Sequence, residues 1–142
     1  MAGEGDRGYM HIGEVATRTE LSLRSLRHWE EVGLLRPSGR TDGGFRLYTE
    51  DDVERILVIR RMKPLGFSLD QMKDVMADIE VIRGAEVDAG ARDAALGRLA
   101  GIRAEAHERR AALVRQLDMA DEFIGLLAHQ DHQDHQDEES TP

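Results

Sequence analysis

Two arginines three residues apart, Arg24 and Arg27, lie in the segment SLRSLRHWEE at residues 22–31. Residues three or four apart share one face of a helix, so a helix here places both guanidinium groups together, beside His28 and the sole tryptophan, Trp29. A guanidinium group binds a guanine edge bidentately and a phosphate with charge assistance. The segment is therefore either a solvated helix face or a surface that contacts nucleic acid.

The flanking residues place these arginines on the second of two short helices. Ser22 is a favourable N-cap residue and Gly33 a natural residue just past the helix end. A first helix is predicted from Gly13 to Arg18, and Thr19-Glu20-Leu21 separates the two. Two short helices with such a connection form a helix-turn-helix, in which the second helix enters a DNA groove.

A hairpin is predicted next, in RPSGRTDGGFRLYT at residues 36–49. Asp42-Gly43 is a strong two-residue turn signal between strands. Arg40 lies on the strand before the turn, and a hairpin after a helix-turn-helix is a wing. The sequence therefore predicts a winged helix-turn-helix.

Strand periodicity predicts which wing side chains face outward. Successive residues of a strand point to opposite sides, so Phe45 and Leu47 are expected to close the core and Arg46 and Tyr48 to face outward. Arg46 and Tyr48 then become candidate DNA contacts.

Two further helices follow the wing. Thr49 is predicted to cap a third helix, which Pro64 and Gly66 end. Ser68 and Gln71 match a capping box at the start of a fourth, amphipathic helix.

A heptad repeat occupies the C-terminal part of the chain. Eight of ten positions spaced by three and four are apolar, which favours a coiled coil about 48 Å long over residues 96–127. So long a helix has too little chain in its own protomer to cover it, so a homodimer is predicted. The apolar positions are Leu96, Leu99, Ala106, Leu113, Leu117, Ala120, Ile124 and Leu127, and the other two are Arg103 and Arg110.

Composition narrows the possible functions. The net charge of −9 argues against a nucleic-acid partner, but residues 10–66 carry 10 basic and 9 acidic residues, whereas residues 67–142 carry 8 and 17. The acidic excess thus lies outside the predicted DNA-binding segment. The chain has no cysteine, which excludes disulfides and thiolate metal sites. No signal peptide or membrane span is found, so we expect a cytoplasmic protein with no membrane partner.

No enzyme is predicted, because we find no nucleophile–base pair and no phosphate-binding glycine loop in a supporting context. No cofactor is predicted either. The expected organisation is a disordered leader (1–9), a DNA-binding domain (10–79), a connection (80–95), a dimerisation helix (96–128) and a disordered tail rich in His, Asp and Gln (129–142).

Three blocks, SLRSLRHWEEVGLL, RTDGGFRLYT and RRMKPLGFSLDQM, agree in order and spacing with the MerR family of bacterial transcription regulators, which the chain resembles over residues 10–79. The resemblance implies a mainly helical fold, a winged helix-turn-helix joined to a dimerising antiparallel coiled coil, which binds and distorts double-stranded promoter DNA where RNA polymerase acts. It also implies DNA contacts by Arg24, Ser25, Arg27, His28, Trp29, Arg40, Arg46 and Tyr48. The chain departs from the family pattern at Glu20, where glycine is common, at His28, often tyrosine, and at Pro64.

Several alternatives remain open from the sequence. Trp29 and Tyr48 also fit a packing role in the core. An architectural DNA-binding protein, such as a recombination directionality factor, can share the winged fold. The histidines of HQDHQDHQD at residues 129–137 could ligate a divalent metal ion and make the protein a metal-responsive regulator, although a solvated tail is the simpler interpretation and no metal site is assigned. The effector and target genes are not evident.

Overall fold

A computed structural model of the chain describes residues 8–139, and the side chains of residues 8–135. In chain order it comprises helices α1 (Ile12–Thr19) and α2 (Leu23–Glu31), strands β1 (Gly39–Arg40) and β2 (Arg46–Leu47), helix α3 (Glu50–Met62), a 3-10 turn (Lys63–Leu65), and helices α4 (Leu69–Arg83) and α5 (Ala89–Glu139). This order confirms the predicted winged helix-turn-helix followed by a long C-terminal helix. The chain divides after Ile102 into two compact units.

The core of the first unit lies where α1 packs against α2 and α3. Val15, Leu26, Ile56 and Ile59 are completely buried there. Burying each such aliphatic side chain contributes about 1.5–3 kcal/mol, so these contacts stabilise the helix-turn-helix more than helix propensity does.

Three of the helices have an N-cap residue whose side chain accepts a hydrogen bond from the first turn. The Ser22 hydroxyl accepts a hydrogen bond from the backbone N–H three residues ahead at 3.0 Å, as predicted. At α3, Thr49 accepts from the Asp52 N–H at 3.2 Å and Asp52 accepts from the Thr49 N–H at 2.9 Å. The predicted capping box of Ser68 and Gln71 is also present. These bonds satisfy amide groups that lack partners within the helix.

The wing is a short antiparallel hairpin. Gly39 pairs with Leu47 and Arg40 with Arg46, which fixes the register that the sequence left open. Beyond β2, the backbone of Tyr48 exchanges two hydrogen bonds with Met10, at 2.7 and 2.8 Å. The segment before α1 therefore pairs with the chain directly after β2.

The predicted alternation of wing side chains is wrong at two positions. Phe45 is 69% exposed, whereas Tyr48 is completely buried. The period of two fails because β2 has two residues: Phe45 belongs to the turn, which extends away from the core, and Tyr48 belongs to the bridge with Met10. Leu47 is buried, as predicted.

A multidentate ion pair joins α4 to the first part of α5. Arg98 donates to both carboxylate oxygens of the buried Asp78, over distances of 2.8–3.1 Å. These bonds raise the pKa of Arg98 above the ordinary guanidinium value. Ala95, one turn earlier, is completely buried. Charge and packing therefore both hold this part of α5 within the first unit.

The boundaries of α5 differ from those expected from the sequence. The helix begins at Ala89 instead of residue 96, and the connection after α4 is limited to residues 84–88. At its other end α5 continues past residue 128 to Glu139, because residues 129–139 contain no proline or glycine that would end a helix. The first seven residues of the predicted leader and the last three of the predicted tail lie outside the described residues.

The second unit, from Arg103, is a helix with an apolar stripe. Leu113, Leu117, Ile124 and Leu127, from the predicted heptad, are 43–62% exposed within the chain. The adjoining Phe123 is 59% exposed. Among residues 8–139, no helix combines the length and the apolar character that crossing a membrane requires.

Replacing Glu20 with glycine should raise the free energy of unfolding by about 1 kcal/mol, because Glu20 ends α1 with φ 56°, the left-handed region that favours glycine. Its ion pair with Arg60, at 3.2 Å, is exposed and contributes little. Denaturant titration at one protein concentration measures the change. Glu20→Ala is the matched control, since it loses the same ion pair but keeps a Cβ atom. Equal stability of the two variants would contradict the backbone explanation.

Candidate nucleic-acid interface

Helix α2 presents an apolar face to the core and a polar face outward. Leu26 and Trp29 are buried on the first face. Arg24, Arg27 and His28 are exposed on the second. Within the described part of the chain, these three side chains have no hydrogen bond or ion pair, so their donors are available to a ligand.

The exposed face of α2 borders a cleft of about 610 Å³. Lys63, from the turn after α3, also lines it, and its ammonium group lies 5.8 Å from the centre of the Trp29 ring, a cation–π distance. Sequence reasoning missed Lys63, because no local pattern indicates that the end of α3 lies beside α2. The residues that line the cleft are Arg24, Ser25, Arg27, His28, Glu31 and Lys63.

Ser25 lies at the start of α2, beside the cap. Its hydroxyl accepts a hydrogen bond from the Ser22 hydroxyl at 2.9 Å. Ser25 is half-buried and lines the cleft. The first turn of α2, the part that approaches base edges in helix-turn-helix proteins, thus combines one exposed guanidinium group with one hydroxyl.

The two wing arginines share one acidic partner, Glu30 of α2. Arg40 donates through Nη2 to Glu30 at 3.1 Å, and Arg46 forms a closer ion pair with the same carboxylate through Nε. The ion pair with Glu30 raises the pKa of Arg46 above the ordinary guanidinium value. Sequence reasoning missed this acid, since only the folded wing brings Glu30 between the two arginines.

Trp29 and Tyr48 lie in the core, not on the exposed face with the other predicted DNA contacts. Trp29 is 3% exposed and Tyr48 is completely buried. Burial raises the pKa of the Tyr48 phenol above its usual value, and its hydroxyl has no hydrogen-bond partner among the described residues. Of the two uses that the sequence left open, packing is the one that this placement supports.

The C-terminal histidines were the other candidate ligands. His129, His132 and His135 lie along the end of α5. Among the residues whose side chains are described, no three His, Cys, Asp or Glu side chains are grouped to hold a metal ion.

Residues 10–79 match the family model of the MerR HTH family regulatory proteins. Over 65 residues the chain is 46% identical to nodulation protein NolA of Bradyrhizobium elkanii, covering 46% of this chain and 30% of that protein. It is 46% identical over 69 residues to the HTH-type transcriptional regulator YfmP of Bacillus subtilis, covering 48% of this chain and 49% of YfmP. It is 39% identical over 66 residues to the HTH-type transcriptional regulator ZntR of Escherichia coli K12, covering 46% of this chain and 47% of ZntR. The chain thus spans less than half the length of these curated relatives.

Solved structures extend the likeness of fold to α5. The structure of HiNmlR, a MerR family regulator that lacks the sensor domain, bound to promoter DNA, covers 85% of this chain and 91% of its own, with a TM-score of 0.66 and 21% identity. The structure of the N-terminal part of MtaN, the multidrug transporter activator of Bacillus subtilis, covers 85% of this chain and 96% of its own, with a TM-score of 0.51 and 27% identity.

Tyr48→Phe should leave the free energy of unfolding unchanged or slightly higher, because it removes only a buried hydroxyl that has no partner among the described residues. Tyr48→Ala should lower it by about 3–5 kcal/mol, the usual cost of deleting a buried aromatic ring. Chemical denaturation of both variants tests this packing role. A loss above 1 kcal/mol in Tyr48→Phe would show instead that the hydroxyl stabilises the fold.

Proposed function

Because residues 10–79 make this chain a member of the MerR family of helix-turn-helix regulatory proteins, we propose that it is a homodimeric transcription regulator that binds pseudo-palindromic promoter DNA sequence-specifically. The family is one of DNA-binding regulators and not of enzymes. One observation carries the proposal: Arg24, Arg27 and His28 are exposed on one face of α2 and have no partner among the described side chains.

We assign different tasks to the cations of this face. We propose that Arg24 and Ser25, at the start of α2, contact base edges in the major groove. We propose that Arg27, His28 and Lys63, farther along the cleft, contact phosphates. Phosphate contacts set the position of the protein on DNA, and base contacts select the sequence.

The wing adds a second set of phosphate contacts. Arg40 and Arg46 keep 52% and 32% of their side chains exposed while bound to Glu30. We propose that their exposed donors contact the DNA backbone. Trp29 and Tyr48 support these contacts from within the core.

The homodimer is proposed from the apolar stripe of α5, most of which lies in the second unit of the chain. The apolar heptad side chains there are largely exposed within one chain, and a second copy of the same stripe would bury them. A dimer also matches two half-sites of a pseudo-palindrome. The proposed dimerisation residues are Leu96, Leu99, Ala106, Leu113, Leu117, Ala120, Ile124 and Leu127.

The proposal includes distortion of the bound DNA. A dimer presents two recognition helices at a separation that its own structure sets, so DNA must bend or untwist to contact both. Such deformation costs about 1–6 kcal/mol for bends of 40–90°, and contacts to both half-sites can offset it. We further propose that the protein acts in the cytoplasm, on promoters that RNA polymerase uses.

Arg24→Ala and Lys63→Ala should weaken DNA binding in different ways. Selection from a pool of random duplexes should first enrich one site, and titrations at several salt concentrations then compare the variants. Arg24→Ala should cost about 1–3 kcal/mol on that site and relax its sequence preference. Lys63→Ala should weaken all sequences alike and lower the salt slope by about one. Failure of the wild-type protein to enrich any site would refute the proposed function.

The chain should sediment as a dimer at micromolar concentration. Leu117→Lys should give a monomer, because it places a charge in the proposed seam at a side chain that is 61% exposed in the single chain. Its affinity for the selected site should fall about 100-fold, since linked half-sites gain effective concentration. Glu122→Lys, outside the heptad positions, should remain dimeric. A dimeric Leu117→Lys variant would place the interface elsewhere.

A further inference from the structure

Glu30 connects the recognition helix to both strands of the wing. Its carboxylate pairs with Arg40 of β1 and with Arg46 of β2, which face each other in the hairpin register. Arg40 also donates through Nη1 to the carbonyl of Gly44 in the wing turn, at 3.2 Å. A single acidic side chain thus links α2 to β1 and β2 directly, and to the turn through Arg40.

The wing needs such a connection because it has little structure of its own. Each strand has two residues, and an isolated two-stranded hairpin is marginally stable in water. Leu47 is the one strand residue in the buried core, and the residues of the turn, 42–45, are exposed. The direction of the wing relative to α2 therefore depends on contacts made from outside the hairpin.

The pairing with Glu30 leaves part of Arg46 available. Its Nε faces the carboxylate, and its two terminal amino groups have no partner among the described residues. A guanidinium group held at Nε keeps the plane of its remaining donors fixed, and a fixed fork loses less entropy when it binds phosphate. Arg40 is held through one N–H of each terminal nitrogen, by Glu30 and by the Gly44 carbonyl, and its side chain is 52% exposed.

On charge alone, the Glu30 carboxylate should weaken DNA binding. A carboxylate close to a DNA-binding face repels phosphate, and α2 carries two in succession, Glu30 and Glu31. They differ in environment: the Glu30 side chain is 15% exposed beneath the wing arginines, whereas Glu31 is exposed on the cleft and has no hydrogen bond or ion pair among the described residues.

We propose that Glu30 is a positioning residue for DNA binding, which holds Arg40 and Arg46 so that their free donors face the phosphate backbone. The inference rests on the proposed function and adds to it a part for an acidic residue that does not itself contact DNA. The Glu30 carboxylate, which itself repels phosphate, thus increases the affinity for DNA because it orients Arg40 and Arg46.

The matched variants Glu30→Gln and Glu31→Gln test the proposal, because each removes one negative charge from the same helix turn. If Glu30 positions the wing, Glu30→Gln should bind the selected site and random DNA about tenfold more weakly, with a salt slope lower by one to two. Glu31→Gln should bind as tightly as the wild-type protein or more tightly. Tighter binding by both variants would overturn the proposal and leave simple charge repulsion.

Two further variants separate positioning from loss of structure. Glu30→Asp keeps the charge but shortens the side chain, so it should not reach both arginines and should lose affinity as Glu30→Gln does. Wild-type affinity in Glu30→Asp would overturn the proposal, even if Glu30→Gln fails to fold. In a protein that carries both Arg40→Ala and Arg46→Ala, Glu30→Gln should have no larger effect than Glu31→Gln. If the wild-type chain selects no DNA site, the proposed function fails before this comparison begins.

Discussion

The wing of this protein is held in place by two carboxylates, Glu30 of α2 and Asp52 of α3. Asp52 is buried and accepts hydrogen bonds from Ser38 at 2.5 Å, before β1, and from Arg55 at 3.0 Å, on α3. It also belongs to the capping box of α3. Removing one member of a buried charged pair leaves its partner without compensation and is strongly destabilising. The geometry of the proposed DNA-binding surface therefore depends on acidic side chains, although DNA itself is an anion.

The cations of the first unit fall into two groups. Arg24 and Arg27 extend from α2 without a partner among the described residues, so in the proposed complex they are free to adjust to base edges and phosphates. Arg40 and Arg46 are bound to Glu30, and their positions are set before any ligand arrives. This division reconciles a net charge of −9 with the proposed DNA-binding surface, because local placement, and not the sum of charges, decides what the surface attracts.

The second unit differs from the first in the side chains that it exposes. Its large apolar side chains, among them Leu117 and Ile124, are more than half exposed in the single chain. A helix is stable in water mainly through the burial of such a stripe. The first unit is held by its own core, whereas in the proposed dimer a second copy of the chain buries the apolar stripe of the second unit.

Much of this molecule was predictable from local sequence. Ser22, Thr49 and Ser68 indicated where helices begin, and the period of three and four indicated a long helix with one apolar stripe, because caps and helical periodicity are properties of short segments. The tertiary structure alone decided which side chains of the wing are buried. Tyr48 is buried because Met10 returns to pair with it, and Phe45 is exposed because the hairpin leaves the core before its turn. Glu30 meets the wing arginines, and Lys63 reaches the cleft beside α2, only because segments distant in the chain pack together. The side-chain period of a strand of two residues does not predict such packing.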